Sequence, residues 1–232
     1  MDPSPSAAFV PTGRRWSYRD TLRMGGAAVV LVGGGLIARH GVPAWEASSF
    51  ERINGLPDAL QPVLWPIMQL GMLTVALAVA AVAGWRTRRL SVGVCTAAAV
   101  LTTWIVAKYV KSLVGRGRPF GVGLEVDLRD HATYGLGYVS GHAAIAAALY
   151  TMVVPHLRRP YRAVAAVLAI TVCVARIYSG AHLPLDVVGG AALGMMIGEA
   201  FRALEVRWRS GRAPSAEDLL APDEEAEALS PG

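Results

Sequence analysis

The sequence of 232 residues is poor in charged side chains and in cysteine, and both shortages exclude whole classes of protein. Charged residues make up 17% of the chain, whereas soluble globular domains carry about 25%. The two cysteines, Cys95 and Cys173, lie inside apolar stretches and have neither C-x-x-C nor zinc-type spacing. A disulfide-stabilised secreted scaffold and an ordinary water-soluble domain are therefore both excluded.

Hydrophobic residues make up 53% of the chain and are gathered in long blocks. A transmembrane helix needs about 20 mostly apolar residues, because the hydrocarbon core of a bilayer is roughly 30 Å thick. We therefore predict an all-α, polytopic membrane protein built as a bundle of six transmembrane helices. The predicted spans cover residues 22–39, 62–85, 90–109, 140–157, 161–178 and 185–203.

The segment 42–60, which follows the first predicted span, mixes apolar and charged residues. Trp45 and Phe50 stand among Glu46 and Glu51. This composition fits a short amphipathic helix lying at the membrane interface, and it fits a plain connecting loop about equally well. We include the interfacial helix in the predicted fold.

Arginine is concentrated on one side of the predicted membrane domain. With six spans, that side receives both chain ends and the turns at 86–89 and 158–162. By the positive-inside rule, both termini of this multi-pass cell-membrane protein are predicted to be cytoplasmic. The side holds 14 of the 22 basic residues: Arg14, Arg15, Arg19, Arg23, Arg86, Arg88, Arg89, Arg158, Arg159, Arg162, Arg202, Arg207, Arg209 and Arg212.

The chain is predicted to have one folded domain between two tails. We place a cytoplasmic N-terminal tail at 1–20, the membrane domain at 21–203 and a disordered acidic cytoplasmic tail at 204–232.

The last predicted span carries glycine at every fourth position, at Gly190, Gly194 and Gly198. A stripe of small residues lets two helices approach closely. Packing within the chain is the default interpretation, and a homodimer contact is the alternative.

Polar residues form three clusters that the predicted topology brings to one membrane face, the extracytoplasmic one. Such residues are costly near a bilayer, so they are candidates for function. The clusters lie at the end of the third span, at the start of the fourth, and between the fifth and sixth: Lys111 with Arg118, then Ser140, Gly141 and His142, then Arg176, His182 and Asp186.

Five of these residues suit the binding of a phosphate group. Lys111 supplies a compact ammonium, and Arg118 and Arg176 supply planar guanidiniums that match tetrahedral phosphate. Ser140 and Gly141 begin a predicted helix, where free backbone N–H groups favour an anion. The simpler interpretation of Ser140 is a helix N-cap.

The other three residues suit phosphoryl transfer. His182 and His142 are the candidate nucleophile, acid or base, because imidazole titrates near neutral pH. Asp186 follows His182 by four residues and can orient its ring. His142 taken alone is more often a structural helix-end histidine. Metal binding by these three residues is disfavoured by the surrounding cations, so no metal or cofactor is expected.

Several other polar residues are weaker candidates. Lys108, Arg116 and Arg129 are interpreted as interfacial positive charge. The glycine-rich segment 120–138 could form a lid, in which Asp127, Asp130 and His131 either contact a substrate or belong to a solvated loop.

The three clusters resemble the signature of the type 2 phosphatidic acid phosphatase family, the membrane branch of a superfamily that includes vanadium haloperoxidases. That signature reads K-x6-R-P, then P-S-G-H, then S-R-x5-H-x3-D. The matching residues of this chain are Lys111, Arg118 and Pro119, then Ser140, Gly141 and His142, then Arg176, His182 and Asp186. Val139 replaces the proline of the second part and Ala175 the serine of the third, which puts rate and substrate preference in doubt more than reaction type.

The resemblance implies a role for each matching residue. His182 would attack phosphorus and form a phosphohistidine, and Asp186 would hold its tautomer. His142 would protonate the leaving oxygen and then help to activate water. The three cations and the Ser140–Gly141 backbone would bind the phosphate, without a metal.

The resemblance also implies a substrate class, a lipid phosphate or diphosphate at the extracytoplasmic face. We favour polyprenyl diphosphate over phosphatidic acid and phosphatidylglycerol phosphate. Membrane lipids are expected partners and nucleic acid is not. The alternatives are a phosphotransferase with a lipid or sugar acceptor, and a non-catalytic scaffold or transporter. The strong excess of arginine over lysine is typical of a GC-rich bacterial genome.

Overall fold

The computed structural model describes residues 18–130 and 134–210 of the chain. Most of the two predicted tails, and His131, lie outside the described residues. Within them the chain is mostly helical and contains no β-strand. The α-helices are α1 Tyr18–Arg39, α2 Ala44–Asn54, α3 Gln61–Met68, α4 Leu73–Thr87, α5 Leu90–Val114, α6 Gly141–Val153, α7 Arg159–Tyr178 and α8 Pro184–Ser210.

Four of these helices are long and apolar enough to cross a membrane: α1, α5, α7 and α8. The pair α3 and α4 would add a fifth span if it is counted as one broken helix, with a bend of 68°. The prediction of one continuous helix over 62–85 is therefore wrong. The helix breaks after a short 3₁₀ turn at Gln69–Gly71, where Met72 adopts an extended conformation with φ −75° and ψ 140°.

The predicted span at 140–157 is also shorter than expected, so the count of six membrane-spanning helices is not confirmed. Helix α6 has 13 residues, which corresponds to about 20 Å of helix. It lies inside the bundle, where Ala143, Ala144, Ala148 and Met152 are fully buried. A helix that is apolar all round can be buried in protein as well as in lipid, which is why composition alone suggested a span.

The glycine stripe of α8 packs against α6 within the chain. A Cβ at Gly190 would lie 2.5 Å from the carbonyl oxygen of Ser140, and one at Gly198 would lie 2.8 Å from the Cβ of Thr151. Gly190, Gly194 and Gly198 are all buried. The default interpretation fits the structure, and a homodimer through these glycines does not, because α6 already occupies that face.

The segment after the first span contains a helix, α2, and is not a plain loop. Glu46, Phe50 and Asn54 recur at every fourth position and are buried, whereas Trp45 on the opposite face is exposed. The buried face packs toward α7 and α8. Helix α2 therefore packs beside the ends of α7 and α8, and it places the carboxylate of Glu46 in the protein interior.

Candidate active site

The three polar clusters meet at one end of the helix bundle, where α5 and α7 end and α6 and α8 begin. The Ser140 N–H donates to the Asp186 carbonyl at 2.7 Å, and the His182 N–H donates to the Arg176 carbonyl at 3.2 Å. The charges of Lys111, Arg176, Arg118 and His142 all act on the ring of His182. Residues as far apart in sequence as 111 and 186 therefore share one electrostatic environment.

A short backbone pairing holds the first cluster beside the second. Helix α5 is capped by Gly115, whose φ of 72° lies in the left-handed region. Gly117 then forms an antiparallel bridge with Leu136, and the Gly137 N–H donates to the Arg116 carbonyl at 2.7 Å. A Cβ at Gly137 would lie 2.8 Å from Oδ2 of Asp186, so this close approach requires glycine.

Lys111 and Arg176 present cationic groups that protein contacts occupy only in part. Lys111 Nζ donates to the carbonyls of Leu136 at 2.9 Å and Gly137 at 3.1 Å, which uses two of its three N–H bonds. Arg176 Nη1 donates to Oδ2 of Asp130 at 2.6 Å. The buried Nε of Arg176 has no hydrogen-bond partner among residues 18–130 and 134–210. Both side chains thus keep donors available for an anion.

Arg118 adds a third cation close to the second. Burial, followed by the charge of Arg176, lowers the pKa of Arg118 from its usual range. Like charges held this close repel one another, and an anion bound between them relieves that repulsion.

Ser140 occupies the N-cap position of α6, but its side chain forms no cap hydrogen bond. Its Oγ is buried and is without a partner in the part of the chain that the structure describes. The first-turn N–H groups of a helix also have no partner within the helix. A hydroxyl and helix-start N–H groups that lack partners of their own are chemically suited to an anion.

His182 and Asp186 are buried together. His182 Nδ1 lies 3.4 Å from Oδ2 of Asp186, and the Leu183 N–H donates to the same oxygen at 3.0 Å. Burial, followed by the charges of Lys111, Arg176 and Arg118, lowers the pKa of His182 well below its usual value. A neutral imidazole at neutral pH is the state that a histidine nucleophile needs.

His142 lies in the first turn of α6, and the broken helix α3–α4 supports its backbone. A Cβ at Gly71 would lie 2.7 Å from the Cβ and 2.8 Å from the carbonyl oxygen of His142. Only glycine fits at this contact. The bend between α3 and α4 therefore contributes to the site, although the hydrophobic pattern of 62–85 gave no sign of it.

Arg116 is not the interfacial charge that the sequence suggested. Its side chain is 2% exposed, and its Nη2 lies 2.5 Å from Oε2 of Glu46. Its Nη1 lies 3.3 Å from Oδ1 of Asp186. Glu46 could not be recognised as a site residue from sequence spacing or composition, because its partner Arg116 is 70 residues away.

Arg129 is half-buried, and it fastens the 124–130 loop to the end of α2. Its Nη1 donates to the carbonyls of Asn54 at 2.6 Å and Tyr178 at 3.0 Å, and its Nε donates to Asp58 at 2.7 Å. Lys108, by contrast, lies over the exposed Trp104 ring at 3.4 Å. Of the two acidic candidates in the loop, Asp130 contacts a site residue and Asp127 does not.

A cavity of about 480 Å³ lies at the opposite end of the bundle. Arg202, which lines it, is paired with Asp20 at 3.2 Å and with Glu199 at 2.6 Å. The motif residues do not line this cavity. In the described ranges no group of three or more His, Cys, Asp or Glu residues is arranged to hold a metal ion. The candidate site for phosphate chemistry is therefore assigned by the motif residues and not by this cavity.

Comparison with known proteins places the chain in a wider group. A family model described as the PAP2 superfamily matches residues 88–209, more than half of the chain. The crystal structure of Aquifex aeolicus LpxE is similar, with 23% identity and a TM-score of 0.61 over 68% of this chain and 95% of that one. The crystal structure of the first transmembrane PAP2 type phosphatidylglycerolphosphate phosphatase from Bacillus subtilis has 20% identity and a TM-score of 0.59 over 81% and 97%. These likenesses show a shared fold. No curated protein matches this chain.

Proposed function

Because the chain belongs to the PAP2 superfamily, we propose that it is a membrane phosphatase that hydrolyses the phosphate or diphosphate ester of a lipid. The observation that carries this proposal is the gathering of Lys111, Arg118 and Arg176 around a buried His182–Asp186 pair. Three cations bind and neutralise a phosphoryl group, and the neutral imidazole supplies the nucleophile.

In the first step the unprotonated ring nitrogen of His182 attacks the terminal phosphorus as its bond to the leaving oxygen breaks. That oxygen is the ester oxygen of a lipid monophosphate or the bridging oxygen of a diphosphate. Asp186 accepts the Nδ1–H hydrogen bond and stabilises the positive charge that develops on the ring. His142 gives its proton to the leaving oxygen. The negative charge of the bound phosphate offsets the neighbouring cations and so favours the protonated form of His142.

In the second step water attacks the phosphohistidine. His142, now neutral, accepts a proton from that water, the P–N bond breaks and inorganic phosphate leaves. Lys111, Arg118 and Arg176 bind the three equatorial oxygens in both steps, with help from the Ser140 hydroxyl and the first turn of α6. Every atom comes from the lipid substrate, water and the protein.

The substrate we favour is a polyprenyl diphosphate at the extracytoplasmic face, followed by phosphatidic acid and phosphatidylglycerol phosphate. The orientation is supported by the arginines at the opposite end of the bundle, which the positive-inside rule places in the cytoplasm. The test is phosphate release by detergent-purified protein from these three lipids. Release from the prenyl lipid alone supports our preference, and release from all three indicates a broad lipid phosphatase. A phosphorylated product that forms only with an added acceptor would indicate a phosphotransferase.

Phosphate release should not depend on a divalent metal. We expect the rate in excess EDTA to equal the rate in untreated protein, because the cations of the site already supply the positive charge that a metal would bring. The measurement is phosphate release with and without chelator, with Mg²⁺, Mn²⁺ or Zn²⁺ added back. A loss in EDTA that a divalent ion restores would contradict the mechanism.

The ion pair between Asp130 and Arg176 should limit phosphate affinity. The Asp130 carboxylate lies 2.6 Å from the guanidinium, so an incoming phosphate competes with it. We expect Asp130→Asn to tighten inhibition by vanadate, a mimic of the pentacoordinate transition state, about tenfold, which corresponds to about 1.4 kcal/mol.

The matched control is Asp127→Asn in the same loop, whose carboxylate is 67% exposed and lies 3.8 Å from Arg129. It should leave the inhibition constant of vanadate unchanged. Weaker vanadate binding in Asp130→Asn would show instead that Asp130 holds Arg176 in its binding position.

A further inference from the structure

We propose that Glu46 is a positioning residue of this active site, which acts through Arg116 to set the orientation and charge of Asp186. The inference rests on the proposed function and assigns a role to helix α2, a segment outside the three signature clusters. Glu46 does not touch the phosphate in this scheme, and its effect reaches His182 through two buried ion pairs.

The first ion pair joins Glu46 to Arg116. The two carboxylate oxygens face the two terminal guanidinium nitrogens, at 3.1 Å for Oε1 and Nη1 and 2.5 Å for Oε2 and Nη2. Oε1 also accepts the Leu185 N–H at 2.8 Å. This bidentate geometry fixes the plane of the guanidinium. Glu46 thus binds both Arg116 and the first turn of α8, which carries Asp186.

The second ion pair joins Arg116 to Asp186. Nη1 of Arg116 lies 3.3 Å from Oδ1 of Asp186, while Oδ2 faces Nδ1 of His182 at 3.4 Å. One carboxylate oxygen is therefore committed to Arg116 and the other to the imidazole. Rotation of the carboxylate would break one of these contacts, so Arg116 keeps Oδ2 directed at His182.

Charge balance explains why a second carboxylate is needed. Arg116 paired with Asp186 alone would cancel the negative charge that stabilises a positively charged His182 ring. Glu46 balances the positive charge of Arg116, so the buried group of Glu46, Arg116 and Asp186 carries a net charge of −1. Asp186 then keeps its effect on the ring, in a low-dielectric interior where such effects are large.

The other charged groups around His182 make this balance important. Lys111 from α5, Arg118 from the following loop, Arg176 from α7 and His142 from α6 all disfavour a positive ring. The negative charge nearest the ring is that of Asp186, at 3.4 Å between Oδ2 and Nδ1, and Arg116, which pairs with both Asp186 and Glu46, offsets part of it. Loss of Glu46 therefore shifts the whole site toward positive charge.

The test is Glu46→Gln, which keeps the shape and an oxygen for the Leu185 N–H but removes the charge. We expect kcat to fall by about 10- to 100-fold, by analogy with the loss of a residue that supports a metal-ligating histidine. KM and the inhibition constant of vanadate should change less than about twofold, because the phosphate-binding cations are untouched. The control is Glu51→Gln, on the exposed face of the same helix, which should match the wild type.

A purely structural role would not move the pH profile, so that profile is the second measurement. Removing a nearby negative charge lowers the pKa of an imidazole. The acid limb of kcat/KM should therefore move to lower pH in Glu46→Gln. Glu46→Asp keeps the negative charge, so the acid limb of kcat/KM should lie at its wild-type position in this variant, even if kcat stays below the wild-type value.

Two results would overturn the inference. One is a wild-type kcat and pH profile in Glu46→Gln. The other is an equal loss of kcat and vanadate binding in Glu46→Gln and Glu46→Asp together with a lower melting temperature, which would show that Glu46 only holds the fold together.

The failure of the proposed function is separable from the failure of this inference. If the wild type hydrolyses none of the three lipids, the proposed function is wrong and Glu46 is judged by histidine NMR alone. The signal of His182, identified by its loss in His182→Gln, should titrate at lower pH in Glu46→Gln than in the wild type. Identical titration in the two proteins would overturn the role of Glu46.

Discussion

Replacing His182 by glutamine should lower phosphate release from a lipid substrate about 10⁴-fold, into the background of the assay. The imidazole supplies the attacking nitrogen, and no other described side chain lies against Asp186 in a way that could replace it. Glutamine keeps a polar side chain of similar length in the buried site, so the bundle should fold normally. The measurement is phosphate release per mole of protein, with melting temperature and vanadate binding recorded beside it.

The matched control is His40→Gln, since His40 is exposed and lies just after α1. We expect wild-type turnover in that variant. Turnover of His182→Gln within about tenfold of the wild type would mean that His182 is not the nucleophile, because loss of a covalent nucleophile costs far more than that.

Replacing His142 by glutamine should lower hydrolysis of an alkyl lipid phosphate about 10³-fold, the range expected for loss of a general acid. The size of this loss should depend on the leaving group. An alkoxide needs a proton as the bond to phosphorus breaks, whereas nitrophenolate is stable without one. With a nitrophenyl phosphate as substrate, the same variant should therefore lose less than about tenfold in the first chemical step.

The leaving-group comparison separates the two histidines. In single-turnover experiments His182→Gln should be inactive toward both substrates, because it lacks the nucleophile. Equal losses on both substrates in His142→Gln would contradict its assignment as the proton donor and would favour a role in holding the start of α6.

The candidate residues of the site could be selected from the sequence because they lie in short motifs. Residues such as His182 and Asp186 are four apart, and the start of α8 at Pro184 brings them together whatever the rest of the fold does. The three clusters were expected at one membrane face, and the structure places them at one end of the bundle. This part of the prediction needed only the alternation of helix directions.

The ion pairs that link Asp186 to Arg116 and Arg116 to Glu46 could not be predicted in the same way. Glu46 and Arg116 are 70 residues apart, and a charged residue on an amphipathic segment has the same pattern whether it meets lipid headgroups or a buried guanidinium. The expected surface role of Arg116 was wrong for this reason. Buried ion pairs depend on tertiary packing, which leaves no local pattern.

The number of membrane-spanning helices could not be predicted from composition either. An apolar run does not tell whether its residues face lipid or other helices, so a sixth span could not be distinguished from a short buried helix such as α6. The bend between α3 and α4 arises where Gly71 packs on the backbone of His142. Such a contact between distant segments is invisible in a hydropathy pattern.

Rapid-quench analysis with lipid substrates that carry a radioactive terminal phosphate tests the central claim most directly. Phosphatidic acid and a polyprenyl diphosphate would be mixed with the detergent-purified protein in EDTA and stopped with alkali, which preserves phosphohistidine. We expect free phosphate together with alkali-stable, acid-labile label on the protein, and neither in His182→Gln. Free phosphate formed equally by the wild type and His182→Gln, or no transfer of label from either lipid to protein or water, would contradict a phosphohistidine lipid phosphatase.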